Sequence, residues 1–285
     1  MEKVKVEMRL MRKEDIPFGM KLKNIAGWNQ LEADWKRFLS LEPKGCFVAM
    51  AEDRKIGTVT TICYGAKFSW VGMVLVPPEE RRKGIGTALL RYGISYGQRK
   101  GVESVRLDAT PLGKKLYNTL GFKDEYRLER REGKGRSLEV AGGVSVMKQE
   151  SLGKLIAFDE SSFGADRGEV LRRLFEEYPD NCFLWEEGKD ITGYLMCRPG
   201  YNAYQIGPWI VEKEEVAEEL FKAALNKLSG EKIFFDVPLV NENAVRIADK
   251  YGFQLQRPFI RMYLGENRYP GRPEKIYAIS GVEKG

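Results

Sequence analysis

The sequence predicts an α/β protein made of two copies of one fold, joined near residues 138–143. Three observations predict it. Runs that alternate with period two trade places with helix-spaced apolar residues along the chain. The same landmarks recur in the same order in both halves. One charged, glycine-rich loop, VPPEERRKGIGTALL at Val76–Leu90, stands between an apolar run and a helical pattern.

The elements follow in order. VKVEMRLM, from Val4, alternates like a strand, and a helical region runs from Ile16 to about Leu39 with a break near AGWNQ. CFVAMAEDRKIGTVTTICYG reads as two strands around the turn Glu52–Lys55, and FSWVGMVLV as a third. After the charged loop, Ile85, Leu89, Leu90 and Ile94 mark one face of a helix from about Gly84 to Lys100. VESVRLDA is a strand, and PLGKKLYNTLGF a short helix closed by Gly121. RREGKGRS, Arg130–Ser137, is polar and glycine-rich and is expected to be a turn or linker.

The order then repeats. Cys46-Phe47 answers Cys182-Phe183, Gly57 answers Gly193, and Gly72 answers Gly207 with one residue less between. Val76 answers Val211, and Gly121-Phe122 answers Gly252-Phe253. Landmarks kept in order at near-equal gaps speak against one large domain with unrelated glycines.

Composition narrows the chemistry. Hydrophobic residues make up 43% of 285 and charged ones 31%, as a globular protein with a real core requires. The net charge of +6 is spread among 41 acids, which argues against a nucleic-acid partner. No run approaches the roughly 18 apolar residues of a membrane span, and the first residues carry no apolar signal segment. The four cysteines form no CxxC pair, so a reducing cytoplasmic setting is expected; Cys46 and Cys182 lie in apolar runs. The absence of histidine removes every Ser-His, Cys-His and His-metal mechanism. No metal is expected.

A loop rich in N–H groups that opens a helix is an anion site. The first N–H groups of a helix lack internal partners, the dipole favours negative charge, and glycine lets a phosphate approach the backbone. The residues alone fit equally a solvated turn before a helix. No Walker string G-x-x-x-x-G-K-[ST] exists, and Leu89 stands where a dinucleotide fingerprint needs its third glycine.

R-x-x-G-x-G at Arg81–Gly86, followed by Y-x-x-x-G-F at Tyr117–Phe122, closely resembles the GCN5-related N-acetyltransferase (GNAT) family. The resemblance covers residues from about 4 to 130. Gly27-Trp28-Asn29 and FGADR at Phe163–Arg167 resemble a tandem subgroup with a degenerate second copy. It implies two domains, 1–138 catalytic and 139–285 degenerate, each a mixed, mostly antiparallel sheet flanked by helices. It also implies acetyl-CoA as cosubstrate and an amine acceptor, either a small molecule or a peptide, in a monomer or homodimer. The backbone of Val74, Leu75 and Val76 would pair with the pantetheine arm. Arg81, Arg82, Lys83, Gly84, Ile85, Gly86 and Thr87 would hold the diphosphate. Tyr117 would protonate the leaving thiolate, which a phenol of pKa about 10 can do for a thiol of pKa about 8.5; on its residues alone it also fits a core aromatic. Trp28, Asn29 and Asp34, with Gln30 beside the first two, would shape the acceptor pocket, although Trp28 also fits an edge-of-core position. The family's strand glutamate has no counterpart in SWVGMVLV, so Asp108, with Asp34 or Glu32 as alternatives, is the candidate base. Water or a weakly basic amine would also serve.

The second copy lacks these features. Between Val76 and Leu89 the first has two acids and three bases, a formal +1; between Val211 and Leu220 the second has five acids and one base, a formal −4, and no glycine. Ala248 stands where the tyrosine would be. A second copy that does not hold the nucleotide is expected. A non-catalytic acyl-CoA sensor and a nucleic-acid or protein scaffold remain as rival readings.

Overall fold

The computed structural model describes residues 6–285. The first strand, β1 (Glu7–Leu10), is shorter than expected, Val4 and Lys5 lying outside the described residues. Helices α1 (Ile16–Ile25) and α2 (Glu32–Leu41) follow, separated at Gly27, whose φ of +67° a side chain would strain. Then come β2 (Cys46–Ala51), β3 (Arg54–Tyr64), β4 (Phe68–Leu75), α3 (Ile85–Arg99), β5 (Ser104–Ala109), α4 (Pro111–Thr119) and β6 (Lys123–Lys134). The second half repeats this with β7 (Val144–Val146), α5 (Leu152–Phe163), α6 (Gly168–Glu177), β8 (Cys182–Glu187), β9 (Asp190–Arg198) and β10 (Tyr204–Val211). It continues with α7 (Glu214–Lys227), β11 (Lys232–Pro238), α8 (Glu242–Lys250) and β12 (Gln254–Gly265), and adds β13 (Ile276–Ala278).

One mixed sheet runs through both halves, in the order β1-β2-β3-β4-β5-β12-β6-β11-β10-β9-β8-β7, with β13 on β10. The halves therefore exchange their long last strands: β12 pairs with β5, and β6 pairs with β11. Two buried ion pairs mark the exchange. Arg261 on β12 stands opposite Asp108 on β5, and Arg130 on β6 opposite Asp236 on β11, each arginine giving two hydrogen bonds to its partner. The expected turn at Arg130–Ser137 is thus corrected. Arg130–Lys134 belongs to β6, because strands on both sides satisfy its backbone and Asp236 takes its arginine.

Each half keeps a core of its own, around Leu89 and Val105 in the first and Trp209 and Phe221 in the second. A third core is shared, reaching from Trp35 and Trp70 to Leu171 and Tyr194. Cys46 and Cys182 are buried in it. The last residues thread back between the halves: the Trp70 indole donates to Val282 O (3.1 Å) and Arg167 to Gly285 O (2.9 Å). Among the described residues, no helix is long and apolar enough to cross a membrane.

Candidate active site

The site begins where two strands part. β4 and β5 pair in parallel only over Phe68–Trp70 and Ser104–Arg106. Beyond Trp70 a bulge enters β4, since Thr60 faces Gly72 while Thr58 faces Leu75. Met73 sits in it at φ +49°, a conformation that costs a side chain about 1 kcal/mol or more, and Thr58 Oγ1 fixes it by donating to Met73 O (2.9 Å). A bulge bends a strand and re-aims it. β4 leaves β5, and a cleft of about 790 Å³ opens between them, reaching Val74, Leu75 and Val76.

The loop after Val76 closes one end. Arg82 (φ +63°) and Gly84 (φ +81°) turn the chain into α3. The first helical bond runs from Ala88 N to Gly84 O (3.0 Å), so the N–H groups of Ile85, Gly86 and Thr87 have no partner within the helix. A Cβ on Gly86 would meet nothing nearer than Val76 Cγ2 at 3.9 Å, so the backbone there is open to a ligand. Arg81 lines the cleft, its Nε donating to Val76 O (3.1 Å). Lys83 is less free than expected. Its Nζ holds Glu80 (2.9 Å) together with Arg54 (3.0 Å), and the bond from Lys83 leads in holding the Glu80 carboxyl below its usual pKa. The Ile85 side chain is buried, which leaves only its backbone for the site.

Tyr117 comes from α4, a helix with Pro111 in its first turn and Thr110 Oγ1 as cap, accepting from Gly113 N (3.3 Å). Tyr117 lines the cleft, and among the described residues its hydroxyl has no hydrogen-bond partner. Burial pushes the phenol up to about 12, so it carries a proton to donate throughout the neutral range.

The far wall is built from both halves. Trp28 and Gln30 line it from the α1–α2 break, where Gln30 Nε2 donates to Glu283 Oε2 (2.9 Å). Arg130, Arg257, Phe259 and Glu283 also line it. Nothing local in the sequence marks these four. Strand exchange carries β12 into the site, and a returning tail supplies Glu283.

Three expected site residues need correction. Asn29 does not line the cleft: its amide bonds Ala203 O (3.0 Å) and Asn202 N (2.8 Å), holding the β9–β10 turn of the other half. Asp34 is buried away from it, capping α2 through Leu31 N (2.7 Å) and paired with Arg37 (2.7 Å) and Arg198 (3.0 Å). Burial alone would raise its carboxyl, but Arg198 and Arg37 bring it down to about 2, which no general base at neutral pH can use. Asp108 does line the cleft, but Arg261 occupies both of its oxygens, at 2.9 and 3.0 Å. Burial raises the Asp108 carboxyl against that pull. Its counterpart Asp236 is clamped in the same way in the other half, so the pair serves strand exchange rather than proton transfer. Glu32, the remaining alternative, pairs with Lys36 on the exposed face of α2 (2.8 Å).

The second half repeats the notch and closes it. β10 and β11 pair over Tyr204–Ile206 and then part. β13 lies against β10 there, Trp209 facing Ala278 and Ile210 facing Ile276, and Ile279 N donates to Asp236 O (3.1 Å). Glu212, in the position of the first loop, is held by Arg272 at 2.7 and 2.9 Å.

Comparison with known proteins gives this architecture a family. Two family models, both described as an acetyltransferase (GNAT) domain, match residues 42–124 and 155–278. The chain carries two GNAT domains in tandem. Holothin acyltransferase from Pseudoalteromonas sp. (strain SANK 73390) is 26% identical over 260 residues, 90% of this chain and 87% of that protein. A Pyrococcus horikoshii protein provisionally assigned as an acetyltransferase has a crystal structure that superposes with a TM-score of 0.84 at 26% identity, covering 98% of this chain and 96% of its own. A tandem GNAT protein from the clavulanic acid biosynthesis pathway shares the fold, with a TM-score of 0.66 at 13% identity over 92% of this chain and 98% of its own. GNAT acyltransferases imply an acyl-CoA cosubstrate. The first domain fits one: an open strand edge, uncovered helix N–H groups and a glycine without a neighbour at its Cβ position lie along a single cleft.

Proposed function

We propose that this chain transfers an acetyl group from acetyl-CoA to the amine of a small molecule, using the first GNAT domain alone. The observation that carries the reading is the continuous cleft from the bare N–H groups at the head of α3, past the open edge of β4, to the Tyr117 hydroxyl. The relative acting on holothin, by its name, supports a small acceptor over a peptide.

When bound, acetyl-CoA supplies an activated thioester. The chain's own residues do the rest. Gly84–Thr87 and Arg81 hold the diphosphate by N–H groups and charge. The edge of β4 aligns the pantetheine arm, and Trp28 covers the acceptor. Tyr117 gives its proton, or a hydrogen bond, to the departing sulfur. The acceptor nitrogen attacks directly, in a ternary complex. Neither acid lining the cleft is free to take its proton: Asp108 is held by Arg261, and Glu283 lies 2.5 Å from Lys284 Nζ. Water reaching the cleft takes it, which favours an amine of low basicity. A lysine-like amine of pKa about 10.4 is neutral in fewer than about one molecule per thousand at pH 7.

The second domain has lost the nucleotide site, because its own strand fills the notch. Titration calorimetry with acetyl-CoA, followed by detection of free CoA thiol across a panel of amines, tests the proposal. One molecule bound per chain and amine-dependent thiol release are expected. Binding without release for any amine would leave a sensor rather than an enzyme, and no binding would refute the site.

A further inference from the structure

The charges along the cleft are unevenly satisfied. Asp108 is matched by Arg261, Arg130 by Asp236, and Glu283 by Lys284. Arg81 stands at the loop end, where the diphosphate belongs. Arg257 is left over. It lines the far wall, and among the described residues its side chain makes no hydrogen bond or ion pair. Its place is costly. β12 bulges between Leu255 and Arg257, and the shift sets Arg257 directly opposite Arg130. Like charges facing each other across two strands are destabilising, and bulges next to sites re-aim side chains. Asp236 offsets this only in part and through space, because Arg130 takes both of its oxygens and Gln205 Nε2 lies 3.3 Å from one of them. Burial, then the charge of Arg130, depress the Arg257 pKa, as an unmatched cation requires.

We propose that Arg257 anchors a carboxylate on the acceptor, so that the substrate class is an amine that also bears a carboxylate, as an amino acid does. This rests on the acetyltransferase reading above. A single guanidinium presents a planar fork that matches a carboxylate with two parallel hydrogen bonds. Phe259 and Trp28 line the same cleft and supply apolar wall for the carbon chain between the two ends. Arg257 comes from the β12–β6 pairing and Arg81 from the loop after β4, so the two cations reach the cleft from separate elements.

The test uses the full chain, and acetyl-CoA affinity is measured first. Calorimetry then compares product-type ligands on the CoA-loaded protein: N-acetylglycine, N-acetylphenylalanine and N-acetyl-γ-aminobutyrate, each against its carboxamide. We expect at least one carboxylate to bind about tenfold or more tighter than its amide, the usual strength of a hydrogen bond to a charged group. Arg257→Gln should erase that difference and Arg257→Lys should restore part of it, while acetyl-CoA affinity shows that the variants fold. Equal affinities, no carboxylate binding, or a preference that survives Arg257→Gln would overturn the inference. So would a tenfold loss of acetyl-CoA affinity in that variant, which would place Arg257 on the cosubstrate. N-acetylphosphoethanolamine binding tighter than every carboxylate would overturn the choice of anion. Failure of the wild-type protein to bind acetyl-CoA would refute the acetyltransferase reading itself and take this inference with it.

Discussion

Beyond Trp70 in the first GNAT domain, and beyond Ile206 in the second, a pair of parallel strands parts. In the first, the freed edge of β4 faces a cleft of about 790 Å³. In the second, β13 lies along the freed edge of β10 and takes its hydrogen bonds. The returning tail touches the base of both notches. A Cβ on Gly207 would come 2.0 Å from Ile279 O, and one on its counterpart Gly72 would come 2.6 Å from Glu283 O. Only in the second does the tail go on to pair as a strand. The loop charges follow the same division. The first loop turns uncovered N–H groups toward the cleft. The second uses Glu212 to hold Arg272 and, through its backbone oxygen, Lys275 (2.7 Å), both just ahead of the plugging strand. An acid of the second loop therefore anchors the segment that fills the second notch. The scaffold is duplicated, down to the ion pairs of Asp108 and Asp236, and the two notches differ in what enters them.

The largest effect is expected from unseating the plug. Gly207 has a φ of +137°, and Ile279 O leaves no room for a methyl group. Gly207→Ala should cost about 3 kcal/mol from backbone strain and overpacking together, read by denaturant unfolding. A cost below about 0.5 kcal/mol would mean that β13 leaves the notch readily. In the first domain, Gly86→Leu should lower acetyl-CoA affinity about a hundredfold in calorimetry, because several charge-assisted bonds are lost at once. The fold should persist, since a Cβ there meets no protein atom closer than 3.9 Å. Unchanged affinity would move the nucleotide elsewhere.

Much of this contrast is legible in the sequence. The recurring Cys-Phe, glycine and Gly-Phe landmarks mark strand starts, notch bases and helix ends, all set by local backbone needs. The bare helix head follows from Gly84 and Gly86, and the acidity of the second loop is plain as well, though not that Glu212 anchors the tail. The strand exchange is not legible, because β6 and β12 have the same pattern whichever sheet they join. Arg130–Lys134 therefore reads as a turn, Asp108 as a candidate base, and Arg257 and Glu283 not at all. Asn29 and Asp34 mislead for a related reason. Asn29 follows a cleft residue, Trp28, directly and Asp34 lies in the first turn of the next helix, but their partners Ala203 and Arg198 lie in the other half.

A smaller effect separates Tyr117 as a proton donor from Tyr117 as a wall of the cleft. Tyr117→Phe removes one hydroxyl that has no partner among the described residues, so stability should hold while kcat falls about ten- to a hundredfold and KM changes little. The pH profile adds a second reading. Burial raises this phenol to about 12, so its neutral form persists through the range where an ordinary tyrosine, at about 10, ionises. No falling limb in kcat due to this group should then appear below about pH 10. An unaltered rate in Tyr117→Phe would reduce the residue to packing.

The smallest expected effect concerns the charge beside the glycines. Lys83 is bound to Glu80, which Arg54 also holds, and its side chain is 41% exposed. Glu80 itself is buried, but the lysine end of the pair is open to solvent, and Arg54 keeps Glu80 partnered when Lys83 is gone, so losing this one bond costs little. Lys83→Met should therefore weaken acetyl-CoA binding only about two- to threefold, a long-range charge effect that vanishes as salt is raised. A loss of tenfold or more that persisted in high salt would show that Lys83 leaves Glu80 to meet the diphosphate directly. The loop would then bind by rearranging, whereas bare N–H groups at a fixed helix end need no such movement. Calorimetry of Lys83→Met at two ionic strengths decides between a preformed first notch and one that the ligand completes.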